Sequence, residues 1–396
     1  MTASDLWLAP KLALRNLLAA RLRTWLNVLA LSFSFVAIIF MQGVYDGMNQ
    51  QMQQASVAAL YGGGQYWHPQ YDPYDPLTLP DAHGPVPAPL ESLITARQAA
   101  AILVRQATIY PGGRFRSILL KGIDPEQDVL QIPSTVLRGG GGDIPALIGA
   151  RMARSTGLKP GDQVTVQWRD AHGTFDAADA VIAQVMRTTV PEIDNAQMWI
   201  PLEALRRIAD MPEEASLVVL RPGARGPADA GGWASKDLSY LLRDIRALIR
   251  SKSVGGSIMY LFLLFLAMLA IFDTQVLSIF RRRKEIGTLM ALGMTRTRVI
   301  GLFTVEGALH GVLAAVLAAV YGIPLLAYVA VKGYGLPQGV DQFGIALGSR
   351  IFPVYSATLV AGTAVLVLVV TTIVSFLPTR RIARLKPTDA LRGRTA

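Results

Sequence analysis

Cysteine is absent from all 396 residues, so no disulfide and no cysteine-ligated metal holds any part of this chain. Histidine occurs only at His68, His83, His172 and His310, without paired carboxylates or helical i, i+4 spacing, and no metal site is expected. No Walker pattern occurs either. The run Gly139 to Gly142 has no Lys-Ser/Thr behind it and reads as a loop, not a phosphate cradle. No nucleophile, base and orienting group can be read together, so no catalytic residue and no bound cofactor is assigned. Charge is sparse as well: Asp, Glu, Lys and Arg make up 17% of residues against 52% hydrophobic, too apolar for an ordinary soluble domain.

What the chain has instead is long apolar runs. Trp25 to Tyr45, Ile258 to Phe280, Ile300 to Gly322 and Val354 to Leu377 each reach the ~20 residues that a bilayer core requires. The segments flanking them, 1–24, 281–298 and 378–396, hold 16 of the 38 basic residues but only three acids, Asp5, Glu285 and Asp389. The remaining 22 basic and 25 acidic residues leave no basic excess for a nucleic-acid face. By the positive-inside rule both termini and 281–298 lie in the cytoplasm, whereas 46–256 and the short loop 323–353 lie outside. The first run is too long for a cleavable signal and no small-residue cleavage site follows it, so it stays as an anchor. The expected fold is a membrane α-helical protein of four transmembrane helices, with a large α+β extracytoplasmic domain inserted between helices 1 and 2.

Within that domain, Asp46 to Leu60 and Ser235 to Ser253 read as helical stalks continuing the first and second spans. Residues 65–90 contain seven prolines with Tyr66, Trp67, Tyr71 and Tyr74, which suits an extended segment with an opening strand. Its aromatics form either a hydrophobic ligand surface or packing for the domain's own core. Strands are expected at Ile118 to Gly122, Gln163 to Trp168, Val181 to Arg187, Met198 to Ile200 and Leu217 to Leu220, with helices at Ile148 to Thr156 and Leu202 to Ile208. The domain has one lobe or two.

The hairpin 281–298 carries Arg281-Arg282-Arg283-Lys284-Glu285-Ile286-Gly287 between two spans. Arg and Lys cost about 2.5 to 3.5 kcal/mol each at a helix centre, so this stretch is a surface device. Ile286, Leu289, Met290 and Leu292 recur at helical spacing and predict a short interfacial helix with one apolar ridge, the arginines around it serving orientation and lipid contact. Gly293 is placed to stop that helix and Thr295 to cap the next. An ordinary positive loop is the competing reading. Two acids fall inside spans, Asp273 and Glu306. Each should face the bundle interior or a partner chain, as a proton relay or, more simply, through packing, capping or pairing with the hairpin arginines.

The stretches Arg283-Lys284-Glu285-Ile286-Gly287 and Ala291-Leu292-Gly293, Glu306, and the tail Pro378 to Arg392 together resemble the permease domain shared by FtsX-like and macrolide-exporter (MacB-like) ABC transporters. Leu14-Arg15-Asn16-Leu17 and Asp46-Gly47-Met48 fit the same pattern, and Gly149 to Val166 with Val181 to Arg187 and Asp194 is similar to the lipoprotein-releasing (Lol-type) branch. Asp273 stands where that pattern leads one to expect a neutral residue. The resemblance implies a non-catalytic permease in the bacterial inner membrane, paired with a second copy or a paralogue and with two ABC ATPase subunits that hold ATP and magnesium. It implies that Glu285, Ile286, Leu289, Met290, Leu292 and Gly293 form the coupling helix that seats on the ATPase. ATP-driven motion would then pass along the stalks to the periplasmic domain, a mode called mechanotransmission. The implied cargo is a lipoprotein or lipophilic substrate, with a periplasmic acceptor protein and membrane lipid as further partners. The rival reading is an FtsX-like regulatory scaffold that moves periplasmic partners and transports nothing.

Overall fold

The computed structural model describes residues 21–139, 143–335 and 350–382. The readings of the lead-in before residue 21, of the glycine run at 140–142, of 336–349 within the loop 323–353 and of the tail beyond 382 lie outside the described residues; the loop itself starts later than expected, because the third long helix runs on to Lys332. The chain divides into two compact units: Asn49–Leu248 with Gly335–Ile351, and Met1–Met48 with Ile249–Tyr334 and Phe352–Ala396.

In the first unit a nine-stranded sheet is built from β1 (Gln65–Trp67), β2 (Ala99–Ile109), β3 (Arg116–Ile123), β4 (Ile144–Gly149), β5 (Gln163–Arg169), β6 (Phe175–Met186), β7 (Gln197–Pro201), β8 (Leu217–Leu220) and β9 (Ala234–Lys236). The order is β9-β1-β8-β2-β3-β7-β4-β6-β5, and β5 returns to pair with β2, so six of the strands close on themselves. Strand β2 makes this possible by its length: Ala99 to Ile102 pair with β8 while Ala107 to Ile109 pair with β5. One sheet therefore replaces the two-lobe alternative.

Side chains alternate across a strand, and here both faces are covered. Leu103, Ala107, Ile118, Leu120, Ile148 and Ile200 enter one cluster, with the helices α2 (Ala88–Thr95), α3 (Ala150–Thr156) and α5 (Leu202–Ile208). Ile102, Val104, Ile123, Leu147, Trp199 and Leu217 enter the other, with Ile193 of α4 (Pro191–Ala196), Leu241 of α6 (Leu238–Leu241), and Ala59 and Leu60. Of the two stalk readings, the second needs correction. Ala234–Lys236 is an edge strand, and Asp237, whose side chain accepts from the Tyr240 amide, caps only a single turn, Leu238–Leu241, before Leu242 breaks it. The long helix α7 starts at Arg243.

Among the described residues four helices are long and apolar enough to cross a membrane, α1 (Arg21–Ser56), α7 (Arg243–Arg281), α9 (Arg296–Lys332) and α10 (Ala357–Ile382), and the second unit holds α9, α10 and most of α1 and α7. Helices α1 and α7 contribute residues to both units. With 37 residues, α9 is about 55 Å long against a hydrocarbon core of about 30 Å. Packing against α10 relies on small residues: a Cβ added at Gly307 would stand 2.0 Å from Ser375 Oγ, and one at Gly311 would stand 2.7 Å from Thr371 Oγ1. Without a hydrophobic drive between helices in lipid, close backbone approach and hydroxyl pairing take over. Thr304 and Thr379 hydroxyls meet at 3.3 Å across the same seam, and Asn27 donates to Thr274 at 2.6 Å between α1 and α7.

Candidate functional site: the charged hairpin

Between α7 and α9 lies α8 (Arg283–Ala291), nine residues that end at Leu292. Gly293 takes φ +93, its amide donates to Met290 O at 3.1 Å, and the Met294 amide donates to Leu289 O at 3.0 Å. These two bonds form a Schellman motif, which needs a residue free to enter the left-handed region. Thr295 occupies the N-cap position of α9, but its side chain makes no capping hydrogen bond.

The apolar residues of α8 do not form one outward ridge. Residues four apart share a helical face, so Ile286 and Met290 lie together and Leu292, six residues beyond Ile286, does not join them. Ile286 is 0% exposed and packs with Ile279, Val299 and Phe303, with Met290 and Met294 against the cluster. Leu289 is half-buried on the flank, and Leu292 is 80% exposed. The outer face is consequently Lys284, Glu285, Thr288, Ala291 and Leu292.

Arg282 sits at the turn into α8 and holds the hairpin to the following helix. Its Nε donates to Glu285 Oε2 at 2.8 Å, and its Nη1 donates to Glu306 Oε2 at 3.0 Å and Oε1 at 3.4 Å. The guanidinium also lies 5.1 Å from the Phe303 ring centroid. Glu306 is 9% exposed, and this pair is what compensates its carboxylate. The general role of orientation and lipid contact is thus corrected for Arg282, a residue that clamps two carboxylates. Asp273 behaves differently: it is exposed on this chain and not turned into the bundle.

The family model for the MacB-like periplasmic core domain matches residues 24–230, more than half of the chain, and that for the FtsX-like permease C-terminal region matches 257–387. The chain belongs to the FtsX-like, MacB-type ABC transporter permeases. The permease is 22% identical over 330 residues to the lipoprotein-releasing system transmembrane protein LolC of Neisseria meningitidis, covering 74% of this chain and 77% of that one. It is 31% identical over 122 residues to an uncharacterised ABC transporter permease of Methanocaldococcus jannaschii and over 123 residues to the macrolide export ATP-binding/permease protein MacB of Nitrobacter winogradskyi. Those two matches cover 31% of this chain and only 28% and 17% of the relatives' lengths. The extracellular domain of the transporter YknZ from Gram-positive bacteria aligns with 46% of the permease and 94% of its own chain, at 17% identity and TM-score 0.25. Family membership makes the permease a multi-pass membrane protein with a periplasmic domain.

The structure thus brings Glu285, Ile286, Met290 and Glu306 around one clamp and leaves Leu292, Gly293 and Asp273 outside it. The expected pairing of Glu306 with a hairpin arginine is made by Arg282, whereas Ile279, Val299 and Phe303 carry no expectation from the sequence. The available signal was spacing: Arg282 and Glu285 are three apart, and Val299, Phe303 and Glu306 recur along one stripe of α9.

Proposed function

We propose that the permease is the membrane subunit of an ABC transporter in which two separate ATPase subunits hold ATP and magnesium and engage a pair of permeases, either identical copies or paralogues. The outer face of α8, with Lys284, Glu285, Thr288 and Leu292 and flanked by Leu289, seats on the ATPase. ATP-driven closure then passes through α1 and α7, the two helices whose residues belong to both units, to the periplasmic domain. Both termini and the hairpin face the cytoplasm. The cargo is a lipoprotein or lipophilic molecule taken from the outer leaflet or the periplasm and handed to an acceptor; the LolC likeness supports this class.

One observation carries the reading. The hairpin is fixed on its inner side by Ile286 and Arg282, yet it holds Leu292 at 80% exposure on its outer side. A rigid device with an uncovered apolar rim suits a docking contact, since burying a leucine contributes about 1.5 to 3 kcal/mol. Leu292→Glu is expected to lower the ATPase recovered per permease in detergent at least tenfold, while Phe175→Glu, a comparable change at an exposed site in the periplasmic domain, leaves it unchanged. Equal recovery with Leu292→Glu would reject the docking assignment.

A further inference from the structure

Lys121 is a charged residue in the middle of an apolar sheet face. It lies on β3 opposite Trp199 of β7, and Leu119 lies opposite Gln197 in the same parallel register, so all four side chains fall on one face. Lys121 is 6% exposed, and its ammonium stands 5.1 Å from the Trp199 ring centroid. Among the described residues no carboxylate reaches it at ion-pair distance; Glu192, which lines the same cavity, acts on it through space. Two neighbours are also unsatisfied. Gln197 Oε1 and Trp199 Nε1 are both buried without a hydrogen-bond partner. Buried polar groups are ordinarily paired, and two unpaired ones beside an ammonium that has no carboxylate partner need a reason. Close by, on the same face, Gln65 is fully engaged, donating to Leu60 O and accepting from Trp67 Nε1, each at 2.7 Å.

All three line one cavity of about 570 Å³ within the periplasmic domain. That volume falls in the range of small-molecule sites, which combine apolar walls with a few convergent polar groups. Its apolar lining includes Trp67, Tyr71, Ile102 and Leu217, with helical residues of the same unit, among them Met52 and Leu248. A larger cleft, of about 980 Å³, is lined by Glu126, Arg138, Glu203 and Arg206, but these pair as Arg138–Glu126 and Arg206–Glu203 and ask for no ligand.

The unsatisfied groups specify the head of an occupant. The Lys121 ammonium and the Trp199 indole N–H are donors and call for an anionic oxygen; Gln197 Oε1 is an acceptor and calls for a donor on the same head. The aromatic and aliphatic walls call for an apolar tail. We propose that this cavity binds a single-chain amphiphile whose head is an anion carrying a hydroxyl or amide donor, a lysophosphatidic acid being the simplest form. Binding needs no ATPase and so stands or falls independently of the coupling assigned to the hairpin. Burial pushes the Lys121 ammonium down to about 8, so it keeps its charge at neutral pH while gaining from any anion that reaches it.

The test is photolabelling of the full-length permease in amphipol by a diazirine-bearing lauroyl lysophosphatidic acid, with adducts mapped by mass spectrometry. Adducts are expected on peptides holding Trp67, Lys121 or Leu217. Lys121→Met is expected to reduce them about tenfold and Gln197→Leu about threefold, each with an unchanged far-ultraviolet spectrum. Monolauroylglycerol, which lacks the anion, and glycerol phosphate, which lacks the chain, are expected to compete at least tenfold less well than unlabelled lysophosphatidic acid. Adducts confined to the membrane helices, labelling unchanged in both variants, or equal competition by either half-molecule would overturn the proposal.

Discussion

Removing the Arg282 guanidinium tests the hairpin clamp. In Arg282→Met an apolar stem is kept, while both carboxylates lose their donor and the Phe303 ring loses the guanidinium beside it. The two arms are unequal. Glu285 is exposed, and its pairing contributes about 0.2 to 1 kcal/mol. Glu306 is 9% exposed, and stripping the partner from a buried carboxylate costs about 3 to 5 kcal/mol at full burial; since the Arg282 side chain is itself 25% exposed, about 2 to 3 kcal/mol is expected here. Glu306→Gln should cost only about 1 kcal/mol, because the amide oxygen still accepts from Arg282. In the double variant no buried charge is left unpaired, so its loss should fall about 1 to 2 kcal/mol short of the sum of the single losses. Thermal unfolding of the permease in nanodiscs measures the ranking, with Arg282→Met lowest, by roughly 5 to 10 °C. Strictly additive losses would refute the clamp, whatever the size of either one.

Two further outcomes follow from the geometry. Lys121 titrates near 8 when folded and at its ordinary, higher value when unfolded, so between those limits the unfolded chain binds the extra proton and stability must rise with pH; in Lys121→Met that rise should vanish, as read by denaturant midpoints from pH 7.5 to 10. The chain has no cysteine, so a single Cys at the exposed position Asp176 should react with an impermeant maleimide in intact cells, and labelling of a Cys at Thr295 under the same conditions would reverse the proposed orientation.

The parts of the fold legible in the sequence were those written in local periodicity. The apolar runs, Leu202–Ile208 and Leu217–Leu220 coincide with elements of the structure because a helix stripe or a short β-branched run needs no distant partner to be recognised. Strand β2 carries no local signal, because Ala99 to Val104 is buried on both faces and so shows no alternation. The end of strand β4 overlaps the helix expected over Ile148 to Thr156, since Ile148 and Gly149 close an apolar stretch running into Ala150. Lys121 and Arg105 look like solvated strand positions, yet both are buried. Arg105 donates to the carbonyls of Leu79, Pro80, Arg169 and Asp170, residues between 25 and 65 positions away that no local pattern could supply. The hairpin failed in the same way. Four apolar residues at helical spacing read as one ridge, and only the presence of Ile279, Val299 and Phe303 beside the helix decides that Ile286 and Met290 turn inward.

Motion passed from the hairpin to the periplasmic domain is read most directly as a distance. With one spin label at residue 176 of each copy in a reconstituted permease–ATPase complex, pulsed electron-electron resonance should give a distribution that shifts when a hydrolysis-deficient ATPase is locked with ATP. The same label in Leu292→Glu, with the ATPase added in excess, should show no shift. An identical distribution with and without ATP, in a complex verified to bind both ATPase subunits, would contradict mechanotransmission.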